Sequence, residues 1–575
     1  MKKVGLCSLV ALLLGLTVLV AEIPAAGAPP AGAEAETPTL MVDGRLQELS
    51  SPLRWDKDSI IVPLEELAGY LAANFQWNEA EGTTWIQKYG RTIFFRLATG
   101  EIRKNSEPVS APVPARLING RFYVPLRFVA ENLGATVLWD GDARQVQIIT
   151  GERHIPPERI SSKTFDAVVA YTDQGNLWLL DGREPGALPK QQTDAGFVEL
   201  VGWSSDGAWL AYKHASDEYA PAYLWVVGAD GGRARQVDTE PVGDDQLWSP
   251  ESNRIAYTVK QENIDDYIPT GTVKCAEISA EEIQVNTLVE EDVVMIPALA
   301  WHPDGESLAI SLPRTKDQPP RLEQVDLAAE RKVLYTLEEE AAPDLETLYP
   351  WALISLKWSP DGRYLAYHLR LNSASLTADV VETGVLNVEN GQLINLNSGL
   401  RYPQWMSFSP DSAKLAYIAG IGRDVIHNKW LELADLASGR LTDHSQNSFA
   451  DAQPKWLPGN PQELLFCRGP EAKTISDFYA LPGVLLPGQR IYKLDYKGNS
   501  RAVTAGPPST ADYYPSPSPS GEEMLFLRLE RYDQGSLYLQ PVDTPEDAME
   551  ILRGLRGGPG YYGNYYPEWI SVYWF

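Results

Sequence analysis

The chain has 575 residues, with 49 Lys+Arg against 77 Asp+Glu and a formal net charge of −28. That length suffices for several cores. The acidic balance argues against nucleic acid or anionic lipid as the main partner, and it fits cation or basic-protein binding or simple solubility. With 3 Cys but 17 Trp and 27 Tyr, stability is expected from aromatic packing rather than from disulfides.

Residues 1–35 open with Lys2-Lys3, continue through an apolar run from Val4 to Ala21, and end in small residues. This is the plan of a secretory signal. Pro29 disfavours cutting after Ala28, so Ala31-x-Ala33 and Ala33-x-Ala35 are the better sites. The apolar run is long for a signal and barely long enough to span a bilayer, so an uncleaved anchor is the alternative. Cys7 lies ahead of most of the run, which argues against a lipoprotein signal.

Residues 37–150 form a separate unit with an internal duplication. Ile61-Val-Pro-Leu-Glu-Glu-Leu-Ala matches Tyr123-Val-Pro-Leu-Arg-Phe-Val-Ala, and in each half a Trp (Trp77, Trp139) follows the Val by 15 residues. Each half reads as a strand, a helix entered at Pro-Leu, and a Trp at the start of a β-hairpin. Leu126, Val129, Ala130 and Leu133 fall at helical spacing, with Gly134 placed as a C-cap. Asp140-Gly-Asp predicts a turn before the strand Gln145-Val-Gln-Ile-Ile. The expectation is a compact α+β domain.

The run Ile118-Asn-Gly-Arg-Phe-Tyr-Val-Pro-Leu-Arg-Phe-Val-Ala-Glu-Asn-Leu-Gly-Ala-Thr-Val-Leu-Trp-Asp, with Met41-Val-Asp-Gly-Arg as its opening, resembles the copper amine oxidase N-terminal-like domain of bacterial exported proteins. The resemblance is to an accessory domain and implies attachment to the cell envelope, not amine oxidation. The six histidines, His154, His214, His302, His368, His427 and His444, show no paired ligand spacing, so no copper site is carried over.

Residues 151–165 read as a linker. Beyond them a hairpin unit recurs, seen best in Trp358-Ser-Pro-Asp-Gly-Arg-Tyr-Leu-Ala-Tyr-His368: a strand ending on Trp, a Pro-Asp-Gly turn, and a second, alternating strand. Copies begin at Trp203, Trp248, Trp301, Trp358 and Phe408, and two worn ones at Trp456 and Pro517, at intervals of 45, 53, 57, 50, 48 and 61 residues. That spacing is one four-stranded propeller blade. Third strands are expected at Leu224-Trp-Val-Val, Ile491-Tyr-Lys-Leu and Leu537-Tyr-Leu. Residues 167–180 look like second and third strands lacking a first. Tyr566-Pro-Glu-Trp-Ile570 looks like that missing strand, by comparison with Tyr402-Pro-Gln-Trp-Met406 and Gln453-Pro-Lys-Trp-Leu457. The C-terminal strand should therefore complete the N-terminal blade and remove two open edges. The fold class is mainly β: the small duplicated α+β domain, then an eight-bladed β-propeller over residues 166–575 closed by the C-terminal strand, or seven-bladed if the Pro517 copy is not a separate blade. Cys275 and Cys467 would lie about half a ring apart, too far for a disulfide.

The Trp-Ser-Pro-Asp-Gly repeats are similar to the TolB-like, or PD40, propeller family. The resemblance implies that the motif residues are structural and that the propeller binds protein in the envelope. No Gly-x-Ser-x-Gly elbow, His-Glu-x-x-His, Cys-x-x-Cys or phosphate loop occurs, and no α/β-hydrolase domain is expected after the closing strand. Asp265-Asp266 and Glu338-Glu-Glu340 read as solvated loop charges, with Ca²⁺ binding as the alternative. His302 and His368 read as hairpin histidines rather than ligands, and the Gly- and Tyr-rich residues 557–567 as a connection rather than a carbohydrate or peptide loop. Accordingly no catalytic, metal or cofactor-binding residue is assigned, no cofactor is expected, and the binding residues stay open.

Two function classes remain. One is an exported, non-enzymatic binding or scaffold protein, secreted or wall-associated, whose small domain attaches to or senses the envelope and whose propeller face holds a protein, peptide or glycan. Insertions at residues 260–272, 315–320 and 471–489 would decorate that face. The partners expected are an envelope component or an exported protein or peptide, not nucleic acid, with membrane contact only through an uncleaved anchor. The alternative is an enzyme in the propeller channel, a metal-assisted lyase or hydrolase. Converging charged groups with shifted titration would favour the enzyme, and a lining of backbone and small residues the scaffold.

Overall fold

The structure, a computed structural model, describes residues 37–575 apart from 43–44, 48, 72, 79–80, 89–90, 105–106, 142, 151–156, 174, 195, 217–219, 263–266, 338–347, 380, 473–483, 485, 532 and 558–568. These residues fall into two compact units that divide after residue 153. The signal segment, Asp265-Asp266, Glu338-Glu-Glu340 and most of the Gly- and Tyr-rich stretch lie outside the described residues.

In the smaller unit the sequence duplication is a pairing. Val124 lies opposite Val62 in an antiparallel ladder, so the two matching segments run side by side in the sheet Arg116–Ile118, Arg121–Pro125, Ser59–Pro63, Arg54–Asp56. Each strand runs directly into a helix, Leu64–Tyr70 or Leu126–Asn132, with Pro63 and Pro125 at the N-cap positions. Proline is tolerated there because the missing N–H has no intrahelical acceptor. Leu126, Val129, Ala130 and Leu133 are buried as their spacing predicts, and Gly134 takes φ +101° after the helix. The hairpin Thr136–Asp140 with Gln145–Ile149 forms, but Trp139 sits near the end of its first strand, not at the start, as does Trp77 in Asn74–Asn78. One core joins both helices to three sheets.

In the larger unit, seven sheets occur among the described residues, and one of them joins two four-strand groups through the single pair Gly399 and Ala419. The expected third strands are present in Tyr223–Gly228, Arg490–Leu494 and Gln534–Pro541. The first strands end on the motif's lead residues, six aromatics and Pro517: Phe197–Trp203, Val242–Trp248, Leu299–Trp301, Pro350–Trp358, Met406–Phe408, Phe449–Trp456, Ala511–Pro517.

Each motif Trp does more than fill space. The Trp248 indole N–H donates to Gly202 O at 2.9 Å, Trp301 to Leu247 O at 2.9 Å, Trp358 to Ala300 O at 3.3 Å and Trp456 to Ser407 O at 2.9 Å. The acceptor is always the residue just before the aromatic of the preceding sheet, so each lead Trp staples its sheet backwards. Only Trp and Tyr among aromatics can bury a ring and still donate. The turn behind it is set locally: Ser359 Oγ donates to Asp361 Oδ1 at 2.6 Å and accepts from Tyr364 N at 3.0 Å, while Gly362 takes φ +71°. Ser409 and Asp411 repeat this at 2.6 Å.

Four expectations need correction. The last strand runs Ile570–Trp574, past the expected 566–570, of which 566–568 lie outside the described residues. It pairs with Ala167–Asp173 from Tyr171 opposite Ile570 to Ala167 opposite Trp574, and Trp203 donates to Ser571 O at 3.1 Å. By that staple Val572 occupies the lead position, so Trp569 matches Trp405 and not Trp456; the likeness to Gln453-Pro-Lys-Trp456 is three residues out of register. Residues 260–272 are not a loop added between strands: Lys260, Gln261 and Glu262 pair with Pro269, Ile268 and Tyr267, lengthening the hairpin. Finally, Glu158–Arg159, inside the stretch read as linker, pairs with Met549–Arg556.

Candidate functional site

Upstream of the lead aromatic the first strands stop pairing regularly. The ladder slips between Val242 and Gln246, Ile354 and Lys357, Ala452 and Lys455, and Tyr513 and Ser516. Each slip leaves extra residues on the inner strand, a bulge that turns side chains out of the sheet. At the position three before the lead, Ser355, Gln453 and Tyr514 take φ +55°, +50° and +57°. A side chain in this left-handed region costs roughly 1–2 kcal/mol. Recurrence at one repeat position marks a built feature.

What holds the bulges is a forward stitch. Asp245 Oδ2 accepts from Leu299 N at 3.0 Å, Ser355 Oγ donates to Arg401 O at 3.0 Å, and Gln453 Oε1 accepts from Tyr514 N at 2.8 Å. Each partner belongs to the next strand group or its approach. Lead tryptophans therefore tie backwards and bulge side chains forwards.

The same inner ends gather charge. Burial pushes the Asp245 carboxyl up to about 7; the Leu299 N–H opposes this, the Asp244 charge adds to it and Lys213 opposes it. Burial pushes the Lys357 ammonium down to about 8, with the Lys455 charge adding to the shift. Lys357 Nζ donates to Met406 O at 2.6 Å. Burial also lowers Lys455, although its side chain reaches solvent; a recess surrounded by protein but open to water accounts for both. Arg370 lies over the Trp351 ring at 4.4 Å, and burial and then Arg401 lower it while Asp244 opposes.

Asp245 gives a pH prediction. Its folded value lies above the ordinary carboxylate value, so the native state holds the proton longer than the unfolded chain does. The stability this contributes is complete below about pH 4 and is lost as pH rises through 7. Asp245→Asn keeps an acceptor for the Leu299 N–H without a charge. It should stabilise the larger unit at pH 8 by roughly 1–2 kcal/mol, discounted for its partial exposure, and by almost nothing at pH 4. Urea unfolding at the two pH values measures this.

The histidines weighed in the sequence are packing residues. His302 stacks edge-on to Trp358 at 4.9 Å, and a Cβ on Gly362 would lie 2.3 Å from its Nε2, so His302 fills the gap that glycine leaves. His368 is buried and burial pushes it down to about 3, which keeps it neutral; its Nδ1 and the cross-strand Thr383 Oγ1 find no protein partner. Two orphaned polar atoms on paired residues suit a bound water. Among the described residues no group of three or more His, Cys, Asp or Glu could hold a metal ion. Cys275 and Cys467 are buried and unbonded. Sequence reasoning missed Lys357 and Lys455. Aligning the copies on their lead aromatic would have found them, since Lys immediately precedes Trp in both.

Residues 41–148 match the family described as copper amine oxidase N-terminal domain. A protein from Brevibacillus choshinensis named protease inhibitor is 29% identical over 149 residues, 26% of this chain. The match spans 44% of that relative's length. Among solved structures the chain is similar to the putative TolB from Agrobacterium tumefaciens, at 16% identity over 51% of this chain and 94% of that one, TM-score 0.27. It is also similar to Porphyromonas gingivalis dipeptidyl peptidase 4, at 9% identity over 70% of this chain and 59% of that one, TM-score 0.42.

Proposed function

We propose that this chain, a copper amine oxidase N-terminal domain joined to a TolB-like propeller, is an exported, non-enzymatic binding protein of the cell envelope. Its larger unit is an eight-bladed ring. Support for the ring comes from the four-strand groups led by the six motif aromatics, by Pro517 and by Val572, and from Ile570–Trp574 pairing with Ala167–Asp173. Further support is the core that Val169 and Tyr171 share with Tyr513 and Leu525. The small domain attaches the protein to the envelope, and the inner strand ends of the ring hold a protein or peptide partner.

One observation carries binding over catalysis. The shifted groups at the inner ends are fixed by backbone of the next sheet, Asp245 by Leu299 N–H and Lys357 by Met406 O, and not by an acid–base partner poised for proton transfer. The name of the Brevibacillus relative, protease inhibitor, agrees with a binding role. The shifted Asp245 and Lys357 also favour a second reading, a channel enzyme of the lyase or hydrolase class.

The purified full chain should carry no stoichiometric copper and release no peroxide with primary amines. One copper per chain together with amine oxidation would overturn the accessory-domain reading. The tagged full chain should sediment with isolated envelopes, and deletion of residues 37–150 should release it. Equal sedimentation of both forms would remove the attachment role.

A further inference from the structure

Four cations lie in two pairs on three consecutive strand groups: the Lys455 charge acts on Lys357 and the Arg401 charge on Arg370. Lys357 and Lys455 are the residues before the lead aromatics of two of them, Arg370 is the penultimate residue of the second strand, opposite Ala352, and Arg401 leads into the group between. Hydrogen bonds to backbone tie the segments that carry them: Lys357 Nζ donates to Met406 O at 2.6 Å and to Pro403 O at 3.4 Å, and Ser355 Oγ donates to Arg401 O at 3.0 Å. Among the described residues none of the four is ion-paired with a carboxylate, although most of the larger unit's buried arginines are. In a chain of net charge −28, a cluster of unpaired cations runs against the composition. Left without a counter-ion it costs stability through mutual repulsion and desolvation, and an anionic group would relieve both.

The surroundings narrow the ligand. Pro350–Trp358 and Phe449–Trp456 are edge strands of their sheets, so their inner N–H and C=O groups have no strand partner on that side. Such edges take up an extended backbone. Asp244, exposed, stands within electrostatic reach on another strand and acts on Arg370. A rim of that sign repels a diffuse polyanion but tolerates a chain whose carboxylates are spaced. We propose that Arg370, Arg401, Lys357 and Lys455 form a carboxylate-binding site for an acidic peptide segment. This rests on the binding-protein reading and gives its partner a chemistry.

The test is fluorescence anisotropy of a labelled hexaglutamate peptide with the full chain, at low and at physiological ionic strength. Saturable binding that weakens with salt is expected. Arg401→Gln and Lys455→Gln, both at solvent-reachable side chains, should each weaken it about tenfold, and hexaglutamine should not bind. Unchanged thermal unfolding of both variants shows that the loss is local. Hexaglutamate that fails to bind, or binds both variants as it binds the wild type, overturns the site. Displacement by inorganic phosphate at matched charge overturns the commitment to peptide in favour of a free-anion site. Envelope sedimentation uses none of these residues, so this proposal can fail while the binding-protein reading stands.

Discussion

Removing residues 570–575 should abolish cooperative folding of the larger unit while leaving the copper amine oxidase-type domain folded. Those six residues supply the whole of one inner strand. Five ladder pairs to Ala167–Asp173 vanish, together with the staple from Trp203 to Ser571 O, the bond from Tyr573 Oη to Ser205 O at 3.0 Å and that from Phe575 N to Asp166 O at 2.9 Å. Each hydrogen bond contributes about 1 kcal/mol net, and more where a buried partner is left unpaired; burying Ile570 contributes about 2 kcal/mol. The sum is on the order of 8 kcal/mol, comparable to the whole stability of a typical domain. The strand exposed in its place, Ala-Val-Val-Ala-Tyr-Thr-Asp, is buried at six of seven positions and would become an apolar open edge. Calorimetry should lose the larger transition and size exclusion should show aggregate. A truncated chain that melts and elutes like the full one would show that the larger unit is not held by this strand.

The second large effect is expected at Arg468→Met. Arg468 and Asp451 are 2% and 1% exposed and paired through both carboxylate oxygens, Nε to Oδ1 at 2.6 Å and Nη2 to Oδ2 at 2.7 Å. The guanidinium also donates to His444 O at 2.7 Å and lies over the Phe466 ring at 4.8 Å. Removing the cation leaves a buried, uncompensated carboxylate, and the cost should be about 3–5 kcal/mol. The double variant Arg468→Met, Asp451→Asn should recover most of it, because both charges are gone while the amide oxygen still accepts from Leu431 N–H. Urea unfolding followed by tryptophan fluorescence reads both variants. A double variant as unstable as the single would mean that the pair is needed for its net attraction and not merely for charge balance. Arg528 and Asp512 repeat the arrangement at 2.6 and 2.9 Å in the next sheet.

These two pairs sit in the copies whose leading motif is worn, at Trp456 and Pro517. In both, a buried ion pair crosses the first two strands, and in the Pro517 copy Ser518 Oγ still accepts from Glu523 N at 3.2 Å across the turn. Sequence inspection finds the worn copies but not these pairs, since Asp451 and Arg468 are 17 residues apart and are brought together only by the hairpin.

The sequence by itself determined whatever is decided within a few residues. The turn of Ser359, Asp361 and Gly362, the helix entries at Pro63 and Pro125, the buried face from Leu126 to Leu133 and the duplication about Val62 and Val124 were legible for that reason: hydrogen-bonding reach, φ preference and helical period are local properties. Even the strand partner of Ala167–Asp173 could be named, because an unpaired half-repeat at one end requires its complement, although the register slipped by three residues where Trp569 was matched to Trp456. Tertiary structure alone decided the site. Ser355, Gln453 and Tyr514 are ordinary residues until the strand slips and turns them, and Lys357, Arg370, Arg401 and Lys455 are separate surface-type cations until the sheets carrying them converge. Their approach depends on how strand groups some fifty residues apart pack face to face, and no local preference encodes that distance.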